Sequence, residues 1–160
     1  MTTELSLSGG CQCGAVRFRV TRVGRATICH CRMCQKAFGS FFGPFVTAEA
    51  MVWTRGEPRR FRSSDTVARG FCADCGTPLS YEVDGNATEL AIGAFDDPDR
   101  VAPVLQVNPG DKLALFDGLT ALPTRTDYPG AWLDFMAHLV SHQHPDHDTE
   151  TWPPEGGFAR

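Results

Sequence analysis

Seven cysteines in three short-spaced groups constrain this chain more than any other feature: Cys11 and Cys13, then Cys29, Cys31 and Cys34, then Cys72 and Cys75. Seven thiols do not divide into disulfides, but they do divide into four and three. Each outer pair is followed by glycine, in Cys11-Gln12-Cys13-Gly14 and Cys72-Ala73-Asp74-Cys75-Gly76. Glycine lets the backbone take the tight turns that aim two thiols at one ion. Four thiolates close a tetrahedral structural zinc site, whereas three leave the fourth position to water or substrate. A chain under this constraint must bring its N-terminal turn against the turn at residues 72–76. Closing so long a loop around a metal removes entropy from the unfolded state, so binding energy at that site is largely folding energy.

The 160 residues suit one domain with a real core, so a metal is not needed merely because the protein is small. No apolar run approaches the length of a membrane span. The opening Met-Thr-Thr-Glu-Leu-Ser-Leu has neither a basic n-region nor a long apolar h-region. A cytoplasmic location is therefore expected, where thiols stay reduced and available to metals. The formal net charge of −4 argues against nucleic acid as the main partner. The expected partners are small molecules, with no membrane role. Association into a homo-oligomer is compatible with all of this.

Short segments with strand character recur between glycines and prolines, which predicts a mainly β fold. Ala15 to Val20 alternates apolar and charged residues. Phe41–Val46, Ala50–Trp53, Thr66–Phe71, Leu79–Val83, Glu89–Ile92, Val104–Val107 and Leu113–Phe116 read as further strands. Beyond Pro129, the apolar residues Trp132, Phe135, Met136, Leu139 and Val140 fall at helical spacing, which predicts a helix over Ala131–Ser141 that ends before Pro145. The polar remainder, with Pro153-Pro154 and Gly156-Gly157, reads as a loosely docked tail. The expected organisation is a zinc-binding β domain over 1–128, with 129–160 as an appended helix and tail.

The triplet Cys29-His30-Cys31-Arg32-Met33-Cys34 packs three thiols into six residues and can cap one face of a metal ion. Zinc so held takes a water or a soft substrate thiol in its fourth position. A zinc-bound thiol loses its proton near neutral pH and becomes a nucleophile for a carbonyl that the metal can also polarise. Three rivals stand beside this reading. His30 could complete the site and make it structural, the cysteines could carry an iron–sulfur cluster, or Cys31 and Cys34 could form a redox pair. A non-catalytic zinc-stabilised binding module would share the same cysteines.

Gly9-Gly10-Cys11-Gln12-Cys13-Gly14-Ala15-Val16 is similar to the opening of the glutathione-dependent formaldehyde-activating family. So are Cys29-His30-Cys31-Arg32-Met33-Cys34-Gln35-Lys36 with Gly39 and Phe41, Ser63-Ser64, Phe71 to Leu79, and Gly93-Ala94-Phe95-Asp96-Asp97-Pro98. The resemblance covers about residues 5 to 128. It implies a β-tent fold of small antiparallel sheets and two zinc ions per chain. The structural zinc would lie on Cys11, Cys13, Cys72 and Cys75, and the catalytic zinc on Cys29, Cys31 and Cys34. It further implies a carbon–sulfur lyase that condenses formaldehyde with glutathione to S-hydroxymethylglutathione. The family often carries histidine and tryptophan where this chain has Leu105 to Phe116, and neither occurs there. Where those positions touch substrate, altered specificity is expected.

Arg55, Arg59, Arg60 and Arg62 form a basic cluster suited to the carboxylates of a glutathione-like substrate, or else an ordinary solvated loop. Lys36 could stabilise thiolate or oxyanion charge. Ser40, Ser63 and Ser64 are candidate polar contacts. His138 and His142 would share a helix face, a spacing suited to adventitious metal rather than a specific site. Asp96, Asp97 and Asp99 read as turn residues.

Overall fold

A computed structural model describes residues 6–153. The chain runs β1 (Leu7–Gly10), β2 (Arg17–Cys29), α1 (Arg32–Phe38), β3 (Gly43–Arg55), β4 (Arg59–Arg62), β5 (Val67–Phe71), β6 (Pro78–Val83), β7 (Thr88–Ala91), β8 (Leu105–Val107) and α2 (Gly130–Ala137). The strands form one sheet in the order β1-β2-β3-β7-β6-β5-β4, and each neighbouring pair is antiparallel. β8 runs parallel to the end of β2, from Thr27 to Cys29. The mainly β expectation holds.

Two long strands organise the sheet. β2 pairs with β3 from Arg17 to Cys29, with register shifts between Arg17 and Ala26. Such irregularities bend a strand and raise its twist. One edge of β2 is shared, with β1 covering its start and β8 its end. Phe18, Val20, Val46, Leu79 and Leu90 are fully or almost fully buried and form the main core. Phe18 meets Phe95 edge to face at 5.0 Å and Trp53 at 6.0 Å. A smaller apolar cluster gathers Cys29, Cys34 and Phe45, with Phe38 and Tyr81 packed against it.

Three local expectations are corrected. Leu113–Phe116 is not a strand. The chain turns there into a 3-10 helix over Phe116–Ala121, and Lys112 pairs with Asp117 across the turn at 2.8 Å. The C-terminal helix stops at Ala137, where the His138 backbone N–H caps it and the His138 ring also reaches the Asp134 carbonyl. All of its residues are exposed. The following segment docks closely rather than loosely as far as Trp152, and the rest of the expected tail, 154–160, lies outside the described residues. The His144 N–H donates to the Gln12 carbonyl at 2.7 Å, the Trp152 indole to the Cys13 carbonyl at 2.6 Å, and Arg17 and Arg19 to Asp148. Gly14, with φ of +81°, admits the His144 ring: a Cβ there would lie 2.2 Å from it.

Candidate metal centres and the groove beside them

The fold brings the cysteines together in the two groups their spacing predicts. Cys11, Cys13, Cys72 and Cys75 have sulfur atoms within 4.8 Å of one another, and so do Cys29, Cys31 and Cys34. All seven are free thiols. Within the first group, Cys11 and Cys13 sulfurs stand 3.6 Å apart and those of Cys13 and Cys72 3.8 Å. Tetrahedral zinc with Zn–S bonds near 2.3 Å sets its sulfurs about 3.8 Å apart. The separations fit a metal and are far too long for a disulfide.

The four-cysteine group joins the turn before β2 to the turn between β5 and β6. Thr77 links the two turns, accepting from the Gln12 N–H at 3.0 Å and contacting Cys75 Sγ at 3.1 Å. The Val16 N–H donates to Cys11 Sγ at 3.2 Å. Burial pushes the Cys72 thiol up to about 11 and holds Cys13 far above the ordinary thiol range. Burial also acts to raise Cys75, but the hydrogen bonds from Thr77 outweigh it and bring this thiol down to about 6. Four sulfurs so confined ionise together only beside a cation, which is the condition a thiolate-bound metal supplies.

The three-cysteine group lies where β2 ends and α1 begins. Cys31 is the N-cap of α1 and its sulfur accepts from the Cys34 N–H at 3.4 Å. The other two sulfurs also have one nitrogen donor each. Asn108 Nδ2 donates to Cys29 Sγ at 3.1 Å, and Arg69 Nη2 donates to Cys34 Sγ at 3.5 Å. Arg69 is only 8% exposed. It also donates to Ser63 Oγ at 3.2 Å and lies 4.9 Å over the Tyr81 ring. Burial pushes Cys34 up to about 12 despite Arg69. For Cys31 the upward effect of burial loses to hydrogen bonding around Cys34, and its pKa is lowered.

His30, between two of the cysteines, does not join the group. Its side chain is fully buried, with Nε2 2.9 Å from Gln106 Oε1 and the ring edge-on to Phe116 at 4.7 Å. His30 Nδ1 has no hydrogen-bond partner. Gln35 pins the same corner by donating to the carbonyls of His30 and Asp111. The segment Leu105 to Phe116 thus meets this corner through Asn108 on Cys29 and through Gln106 and Phe116 on His30.

Other expected site residues are sorted by their partners. Arg59, Arg60 and Arg62 lie on β4 rather than a loop, and Arg60 and Arg62 pair with Glu82 and Asp84. Arg55 donates to Gly14 and Thr149 carbonyls. Asp96 is not merely a turn residue, because it accepts two hydrogen bonds from buried Arg17 and one from Ser8. Ser63 reaches the site through Arg69, whereas Ser64 caps its own turn and Ser40 is exposed. His138 and His142 lie beyond α2 and share no helix face. Among the described residues, no histidine joins either cysteine group. Beside the three-cysteine group, α1 and the β4–β5 hairpin enclose a groove of about 450 Å³. Lys36 lies on its wall.

The spacing arguments missed Arg69, Asn108, Gln106 and Gln35. A charged residue inside the apolar run before Cys72 was the available signal for Arg69.

No curated protein sequence matches the chain. A crystal structure of a Rhodobacter sphaeroides protein, a Northeast Structural Genomics target, superposes with a TM-score of 0.49. It is 20% identical, over 62% of this chain and 99% of that one. Residues 6–109 match the family described as glutathione-dependent formaldehyde-activating enzyme, and the chain belongs to that family.

Proposed function

We propose that this chain is a two-zinc carbon–sulfur lyase-like enzyme that adds a glutathione-like thiol to formaldehyde or another small aldehyde. The observation that carries this reading is the arrangement of the triplet. Three sulfurs converge while His30, their neighbour in sequence, is held away by Gln106. The protein donor set therefore differs from the four-sulfur group, which suits a structural role. Cys29, Cys31 and Cys34 would hold the reactive zinc, which supplies acidity to a substrate thiol and polarises a carbonyl.

The chain's own residues then have definite tasks. Asn108, Arg69 and the Cys34 backbone N–H each donate to one sulfur, which orients the three ligands and spreads their negative charge. Gln35 and Gln106 lock the backbone and ring of His30, so the segment carrying Cys29 and Cys31 stays in place. Phe116 and Phe42 cover that ring from one side and keep water from it. In the addition, the thiol sulfur forms a bond to the aldehyde carbon, the carbonyl π pair moves to oxygen, and the thiol proton ends on that oxygen. No electrons are gained or lost overall, so no redox partner is needed.

The test is zinc analysis joined to kinetics. The wild-type chain should hold two zinc ions and consume formaldehyde only with thiol present. Cys31→Ser should lose that consumption and one zinc, while Cys72→Ser should lose stability first. Thiol-dependent consumption that survives Cys31→Ser overturns the assignment. A two-zinc protein inert to every thiol and aldehyde pair would instead be a binding module of the same fold.

A further inference from the structure

The groove between α1 and the β4–β5 hairpin has a distinctive charge. Its polar lining is Arg32, Lys36, Arg69 and Ser63, with Met33 and Phe61 as its main apolar walls, and no carboxylate lines it. Three exposed strand arginines elsewhere are paired, Arg22 with Glu49, Arg60 with Glu82 and Arg62 with Asp84. The groove cations are not. Among the described residues the Lys36 side chain has no hydrogen bond or ion pair, and the Arg32 side chain reaches only Gln35. Buried Arg69 has a sulfur and a hydroxyl as hydrogen-bond acceptors. Arg32 and Lys36 are also four apart on one short helix, where like charges repel. An anion between them would relieve that repulsion.

The walls complete the pattern. Phe61 and Arg69 are cross-strand partners and project from the same face of their hairpin. Met33 and Phe61 are 57% and 62% exposed, so both offer apolar surface at the rim. A volume of about 450 Å³ is many times that needed for a one-carbon aldehyde and suits a peptide-sized molecule. We infer that this groove selects the substrate thiol by an anionic end. A carboxylate docks between Arg32 and Lys36, the stem of the molecule lies on Met33 and Phe61, and its sulfur reaches the cysteine group past Arg69. Arg32 and Lys36 are thus specificity-determining residues, and the preferred thiols are acidic ones. This rests on the reading above that a thiol reacts at the three-cysteine group.

Binding of an unreactive thioether separates recognition from chemistry. S-methylglutathione and its diethyl ester, titrated into the zinc-loaded protein by calorimetry, differ only in their carboxylates. The wild type should bind the acid at least about tenfold more tightly than the ester. In the Arg32→Gln/Lys36→Gln protein, whose glutamines keep α1 helical, the ratio should fall towards one. In Phe61→Ala both probes should weaken while their ratio persists. Equal binding of acid and ester by the wild type, or an unchanged ratio in the double variant, overturns the inference. Aldehyde consumption measured alongside distinguishes the two failures. Turnover with a ratio of one sinks the groove alone, and a high ratio without turnover sinks the reaction alone.

Discussion

Asn108 offers the sharpest test of how the three-cysteine group is held. Its side chain donates to Cys29 Sγ at 3.1 Å from a left-handed backbone, with φ of 54° and ψ of 53°. Asn108→Ala would mix two effects, because an L-residue with Cβ costs about 1–2 kcal/mol in that conformation. Asn108→Gly suits the left-handed backbone and removes the amide, and its effect on chain flexibility bears on folding rather than on one zinc ion alone. A hydrogen bond to a charged acceptor contributes about 1.5–3 kcal/mol, which converts to a roughly 10- to 150-fold loss. Measured changes to partners of metal ligands fall in the same range, at about 10- to 100-fold. The assay is zinc competition with a chromophoric chelator, where one of two zinc ions should weaken by this factor and the other should not move. Asn108→Asp should weaken the same ion further, because a carboxylate then faces a thiolate. Two zinc affinities within about twofold of wild type in Asn108→Gly would refute the idea that this contact organises the site.

Three further outcomes concern the framework. Arg17→Met leaves Asp96 without its bidentate partner and should cost about 3–5 kcal/mol in urea denaturation at neutral pH. Burial acts to raise Asp96 and Asp148, but hydrogen bonds from Arg17 outweigh it and hold both below the ordinary carboxylate range. The ion pairs therefore contribute fully above the ordinary carboxylate pKa, and the gap between wild type and variant should shrink as pH falls below it. Gly14→Ala should destabilise by at least about 1–2 kcal/mol from its positive φ alone. Adding His144→Ala should relieve the clash and recover part of the loss, so strictly additive thermal shifts would contradict the packing. Trp152→Phe should cost about 1 kcal/mol in thermal denaturation, and no change would mean that the indole contact with Cys13 adds nothing.

The cysteine groups were legible because short spacing and a following glycine are local signals, and four plus three admits few partitions. Most strands were legible for a similar reason, since short apolar runs between glycines and prolines, as in Phe41–Val46 and Leu79–Val83, are local signals too. Residues whose roles depend on distant pairing were not. Arg69 is a charged residue in an apolar run until β5 is laid beside the three-cysteine corner. Arg60 and Arg62 looked free to bind a substrate, and only pairing of the β4–β5–β6 strands shows their charges met by Glu82 and Asp84. The tail was polar and proline-rich, so its docking could not be read from composition. It depends on two carbonyls of the N-terminal turn, at Gln12 and Cys13, that accept from His144 and Trp152.

β5 is only five residues long, yet it serves both cysteine groups. Arg69 in its middle holds Cys34, and Cys72 follows its last residue. At about 3.3 Å per residue, these two anchor points lie about 10 Å apart along one extended backbone. Closing the four-cysteine turn therefore fixes the strand that carries Arg69 to the other corner. The ordering entropy of β5 is met once and shared by two sites. Order gained when either corner closes is therefore passed to the other, so a metal held by one cysteine group would raise the affinity of the other.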